Sequence, residues 1–157
     1  MGNENVNTSG VPLGDWHRLY LDKLERLFQE SSNLGEKYEI KNSNRGRLYL
    51  PDWEGIKRKE ILSNPDILLV NKERDPAYIF EVEYQVNYKK IAGIAIMTDM
   101  AIRQMNAEGR PKLILITKEE FPNRELIERE IQGYVKKIDF SLCSSDGFTS
   151  AFDSLIR

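Results

Sequence analysis

Glu81 and Glu83 sit two positions apart in the run Tyr78-Ile79-Phe80-Glu81-Val82-Glu83, whose aromatic and β-branched content suits a strand. Strand side chains alternate between faces, so Ile79, Glu81 and Glu83 share one face and Tyr78, Phe80 and Val82 the other. The two carboxylates then stand about 7 Å apart at the C-terminal end of the strand. A second apolar run, Asp66-Ile67-Leu68-Leu69-Val70, lies upstream, and the turn-prone residues Asn71 to Pro76 separate the two. So short a connection joins antiparallel strands, which sets Asp66 beside Glu81 and Glu83. Three converging carboxylates repel one another unless a cation neutralises them. Oxygen ligands with retained waters suit Mg²⁺ or Mn²⁺, and the backbone carbonyl of Val82 is placed to add a ligand between the two glutamates. The competing reading is a set of solvated strand-end carboxylates, with Glu83 just past the sheet edge.

Other reactive side chains are few. The chain has one histidine, His17, and one cysteine, Cys143, which excludes an internal disulfide and a Cys/His zinc site. Any Ser-His-Asp or Cys-His arrangement has to use His17. Beside Trp16 at a helix start, that histidine reads as a surface or satisfied residue. Cys143 reads as a small packed residue with nothing nearby to favour a thiolate. Lys57-Arg58-Lys59 is the densest basic run and offers phosphate contacts or a solvated face in equal measure. Pro51-Asp52 with Glu54 and Lys57 is read as a turn.

The elements that must position these groups follow from periodicity. Residues 1–12 read as a disordered lead, and 13–157 as a single domain. A helix is expected from near Asp15, where Trp16, Leu19, Tyr20, Leu24, Leu27 and Phe28 form one apolar stripe, and Ser31 to Gly35 should end it. Two short extended segments, 37–41 and 47–50, flank the turn-like cluster 42–46 and suggest a hairpin. After the strands at 66–70 and 78–83, a long helix is expected over 88–107, stopped by Gly109-Arg110-Pro111. Its Ile91, Ile94, Ala95, Thr98, Ile102 and Met105 line one face. Ile96 and Met100 make a second side apolar, which calls for another helix or a second subunit as cover. Lys112 to Thr117 reads as a buried strand, parallel to the last because a long helix intervenes. A helix to about Lys136, a strand at 138–142 and a helix at 148–156 complete an α/β chain with a mixed central β-sheet flanked by helices on both faces.

Composition limits the partners. With 157 residues, 23 Lys and Arg against 25 Asp and Glu, and a net charge of −2, the chain has no global positive field, so any nucleic-acid contact needs a local basic patch. The polar N-terminus has no apolar stretch of the secretory kind, and the most apolar segment, 91–105, is broken by Thr98, Asp99, Arg103 and Gln104. The expectation is a soluble cytoplasmic protein without a membrane partner.

Pro65-Asp66, a gap of fourteen residues, and then Glu81-Val82-Glu83 resemble the signature of the PD-(D/E)xK nucleases. The surrounding order is similar too, over roughly residues 15–117: a first helix, a hairpin carrying Asp then Glu, a long helix and a strand. The resemblance implies a restriction-endonuclease-like αβββαβ core and Mg- or Mn-dependent hydrolysis of DNA, of the restriction or resolvase type. It implies Asp66 and Glu81 as metal ligands, and Glu83 in the position the family usually gives to lysine. There Glu83 would ligate the ion or orient the attacking water, as in the E-x-E subset of type II restriction enzymes. The family often adds an acid from the first helix, for which Glu25 and Glu30 are candidates beside the reading of a solvated helix face. Lys89 and Lys90 follow the motif and read as phosphate-contact or surface lysines, or as a displaced catalytic lysine. Cleavage of both strands implies a homodimer, with the long helix near the interface. Against the enzyme stands a catalytically inactive nuclease-fold module that binds nucleic acid or protein; the acidic pI and the absent lysine favour it, the intact Asp66 and Glu81 pair the enzyme.

Overall fold

The computed structural model describes residues 13–51, 62–105 and 107–156. The expected lead at 1–12 and the basic run Lys57-Arg58-Lys59 lie outside them. Among the described residues, five strands form one sheet in the order β1-β2-β3-β4-β5. The elements run α1 (Leu13–Glu30), α2 (Ser32–Lys37), β1 (Glu39–Asn42), a 3₁₀ turn (Ser43–Arg45), β2 (Ile67–Val70), β3 (Pro76–Glu83), α3 (Tyr88–Met105), β4 (Lys112–Thr117), α4 (Arg124–Tyr134), β5 (Asp139–Ser144) and α5 (Ser145–Ile156). Pairing is antiparallel from β1 through β3 and parallel from β3 through β5. The chain is thus α/β, with a mixed sheet.

Alternation along the central strands builds two cores. Ile67, Leu69, Phe80, Val82, Ile114 and Ile116 face Leu21, Leu24 and Phe28 of α1 and Phe148 and Phe152 of α5. Leu68, Val70, Ile79, Leu113 and Leu115 face Ile91, Ala95 and Ile102 of α3 and Ile127 and Ile131 of α4. A strand covered on both faces needs apolar residues at every position, and all four residues of β2 are buried. The exception in β3 is Glu81, a carboxylate on the α3 face with 8% of its surface exposed.

The hairpin between β2 and β3 follows from local chemistry. The Asn71 side chain accepts from the Asp75 amide at 2.9 Å, and Arg74 takes the left-handed conformation (φ 67°) that closes the turn. At the start of α3, Asn87 Oδ1 accepts from the Lys90 amide at 2.8 Å, an N-cap. Beyond its end, Gly109 supplies a positive φ of 85° ahead of Pro111.

One local expectation differs from the structure, and one element is added to those expected. Residues 47–50 form no strand; Leu50 makes only an isolated bridge to Ser63, and β1 pairs with β2 instead. The 3₁₀ turn, tied by its Ser43 amide to the Asp66 carbonyl at 2.8 Å, leads the chain away from β1, and Leu48 and Leu50 are buried in the core against α3. As expected, α1 ends at Glu30, before Ser31 to Gly35, but those residues then open a further short helix, α2, which buries Leu34. The second apolar flank of α3 has no cover among the described residues: Ile96 is 39% and Met100 41% exposed.

Asp99, buried on α3, binds a remote segment. Its Oδ1 accepts from the amides of Lys136 and Lys137 at 2.9 and 2.6 Å, and its Oδ2 meets Arg103 at 2.7 Å. Bonds to a charged acceptor are worth roughly 1.5–3 kcal/mol each. Asp99→Ala is therefore expected to lower unfolding free energy by about 3 kcal/mol, read by urea titration, with a fold that otherwise persists.

Candidate metal and phosphate site

The register places the carboxylates. Ile67 pairs with Phe80, and the Asp66 amide donates to the Phe80 carbonyl at 2.9 Å, so Asp66 comes next, opposite Glu81. Asp66 Oδ2 accepts from the Val82 amide at 2.7 Å, between the two glutamates. Residues 66, 81, 82 and 83 are therefore brought together as their spacing implied.

Glu81 faces a cavity of about 390 Å³ lined by Ser63, Asn64, Lys90, Gly93 and Met97 among others. Among the described residues, it accepts one hydrogen bond, from Ser63 Oγ at 3.5 Å. Burial first, then the charges of Asp66 and of Glu83, push its pKa well above the usual carboxylate range, and Ser63 and Lys90 oppose this only in part. Glu83 is less enclosed and accepts from Lys90 Nζ at 2.9 Å. Lys90 borders the Glu81 cavity as well, so of the two candidate lysines it is the one at the site; Lys89 is exposed on the first turn of α3.

His17 belongs to the same cluster, which its local sequence did not suggest. Its Nε2 lies 3.2 Å from Asp66 Oδ1. The Asp66 hydrogen bond, together with the charges of Asp66 and Glu83 and contact with the Val82 backbone, raises its pKa against the opposing effect of burial. The imidazole thus stands against two of the groups expected to hold the ion. The first turn of α1 reaches here because its following turns pack on the sheet, and Trp16 meets Tyr84, just beyond β3, edge-on at 5.6 Å. The raised pKa fixes a sign. The folded state holds the His17 proton more tightly than the unfolded chain, so its contribution is full below the ordinary value of 6.5 and fades as pH rises through the folded value. His17→Gln is expected to lower the melting temperature more near about pH 6 than near about pH 9, as thermal unfolding across that range would show.

The helix carboxylates lie elsewhere. Glu25 is buried and is held by Asn42 Nδ2 at 3.1 Å and by Arg45 at 3.1–3.2 Å, so it serves a separate ion pair. Glu30 is exposed at the end of α1. Burial pushes the Cys143 thiol up to about 12, in keeping with a packed residue.

Among the described residues, no three His, Cys, Asp or Glu side chains gather tightly enough to hold a divalent ion alone. Two carboxylates, a backbone carbonyl and waters remain, the water-rich set that Mg²⁺ accepts. A buried Glu81, pressed by two like charges and weakly hydrogen-bonded among the described residues, fits such an ion. No helix among the described residues is long and apolar enough to cross a membrane. No family model, curated protein or solved structure matches the chain.

Proposed function

We propose that the chain is a Mg²⁺- or Mn²⁺-dependent DNA endonuclease acting in the cytoplasm, with Asp66 and Glu81 as its metal-holding carboxylates. The observation that carries this is the opposition of Asp66 and Glu81 across the β2–β3 hairpin, with Glu81 buried and, among the described residues, its charge under-compensated. A bound divalent ion supplies a lowered pKa for its water and stabilises charge on the phosphorus centre. The residues of the chain do the rest. Asp66 is held in place through its Oδ2 by the Val82 amide. Glu83 positions Lys90, whose ammonium has three donors and retains capacity for a phosphate oxygen while paired. His17 fixes the second oxygen of Asp66. Lys89 and the run Lys57-Arg58-Lys59 supply DNA-backbone contacts on a chain of net charge −2. The test is single-turnover cleavage of plasmid and short DNA with and without Mg²⁺ or Mn²⁺; metal-dependent products that vanish with EDTA support the proposal, and an inert protein on every substrate refutes it.

A second reading has its own observation. Lys90 against Glu83, and His17 against Asp66 when its imidazole is protonated, partly neutralise the cluster without an ion. A nuclease-like module devoid of catalysis would be built this way, and it would bind no Mn²⁺ at these carboxylates.

If both strands of a locally unpaired site are cut, two active sites are needed, and the exposed Ile96 and Met100 of α3 supply an apolar contact for a homodimer. Sedimentation is expected to give a dimer at roughly tens of micromolar; a species of 18.3 kDa there removes the dimer.

A further inference from the structure

A second cavity, of about 470 Å³, opens where β3 and β4 end and α3 begins. Tyr84, Gln85, Lys90, Glu119, Glu120 and Phe121 are among its lining residues. Its size falls in the range of small-molecule sites, roughly 300–1,000 Å³, and is far too small for a duplex. Lys90 is common to this cavity and to the one that holds Glu81, so the two adjoin at the lysine paired with Glu83.

The wall chemistry is of three kinds. Tyr84 and Phe121 provide ring surface. Tyr84 is held by residues that do not line the cavity: Trp16 meets it edge-on, and Lys118 Nζ lies 5.2 Å over its ring. The exposed Gln85 offers both an amide donor and a carbonyl acceptor, and Glu119 and Glu120 offer acceptors only. Among the described residues, Lys90 is the one cation lining it, on the side shared with the carboxylate cluster.

We propose that this cavity receives the unpaired base of the nucleotide next to the phosphate at Lys90, so that the substrate is single-stranded or locally unpaired DNA. The inference deepens the nuclease reading and rests on it for the phosphate's position. Aromatic rings take any base face, the amide and carboxylates meet the polar base edge, and the lysine takes the backbone. A base stacked in a duplex cannot enter without leaving its stack.

The test needs no cleavage. A labelled single strand of about 12 nucleotides, its duplex, and the same strand with abasic positions are titrated by fluorescence anisotropy in EDTA. The intact single strand is expected to bind at least about tenfold tighter than either of the others. Tyr84→Ala and Gln85→Ala should each weaken it, the former about tenfold, while Tyr84→Phe keeps the affinity. Where loss of the Tyr84 ring unseats Trp16, Gln85→Ala and the abasic strand carry the test. Equal affinity for the intact and abasic strands, or for single strand and duplex, overturns the inference. Cleavage in Mg²⁺ without base dependence in EDTA sinks the cavity and keeps the nuclease; base-dependent binding by a protein that never cleaves does the reverse.

Discussion

Asp66→Asn and Glu81→Gln are each expected to reduce Mg²⁺-dependent cleavage at least about 10³-fold, since a lost metal ligand forfeits several kcal/mol of transition-state stabilisation. Neither exchange alters volume, so both variants should fold. The stability result separates a site from a merely buried acid. Glu81 is buried beside Asp66 and Glu83, and its pKa is raised. Between the ordinary carboxylate range and that raised value the folded state binds more protons than the unfolded chain, so metal-free stability falls as pH rises through the window. Glu81→Gln removes the penalty, and its melting temperature at neutral pH, without metal, should exceed that of the wild type. Added Mn²⁺ should raise the melting temperature of the wild type and leave that of the variant unchanged. Unchanged cleavage by either variant excludes this site.

Glu83→Lys is expected to lower the rate about 10²–10³-fold, the size of one lost transition-state interaction. Glu83 accepts from Lys90 at 2.9 Å and acts electrostatically on both His17 and Glu81. A lysine at 83 would face Lys90 with like charge, release it, and set a cation against the metal-holding carboxylates. Glu83→Gln retains an acceptor for Lys90 and should lose less than Glu83→Ala. The opposing account treats the site as decayed from the lysine pattern, and it expects Glu83→Lys to gain activity from an inert wild type. Single-turnover cleavage by the three variants beside the wild type decides between them.

The β2–β3 hairpin was legible because two local rules suffice for it. Alternation put Glu81 and Glu83 on one face, and a short Asn71–Pro76 connection forced antiparallel pairing, which set Asp66 opposite Glu81. The parallel pairing of β3 with β4 followed from the long helix between them. The segment after β1 failed for the converse reason. Leu48 and Leu50 resemble strand residues, yet their burial comes from a core assembled by α3 and the central strands, far away in sequence. Ser31 to Gly35 carry terminator residues, but one buried leucine, Leu34, holds a further short helix in place. His17 escaped because its partners, Asp66, Val82 and Glu83, all lie some fifty residues or more downstream. One signal was available: His17 adjoins the stripe of Trp16, Tyr20 and Leu24, so a helix docking by that stripe carries His17 to the sheet. Glu25 shows the limit of that argument, since a buried acid on the same helix is satisfied by Asn42 and Arg45.

The most direct measurement is anomalous diffraction from crystals of the protein grown without metal and soaked in Mn²⁺. The account predicts one strong anomalous peak within coordination distance, about 2–2.5 Å, of both Asp66 and Glu81, and none in crystals of Glu81→Gln. A featureless map at these carboxylates under saturating Mn²⁺, with His17 still against Asp66, would contradict it.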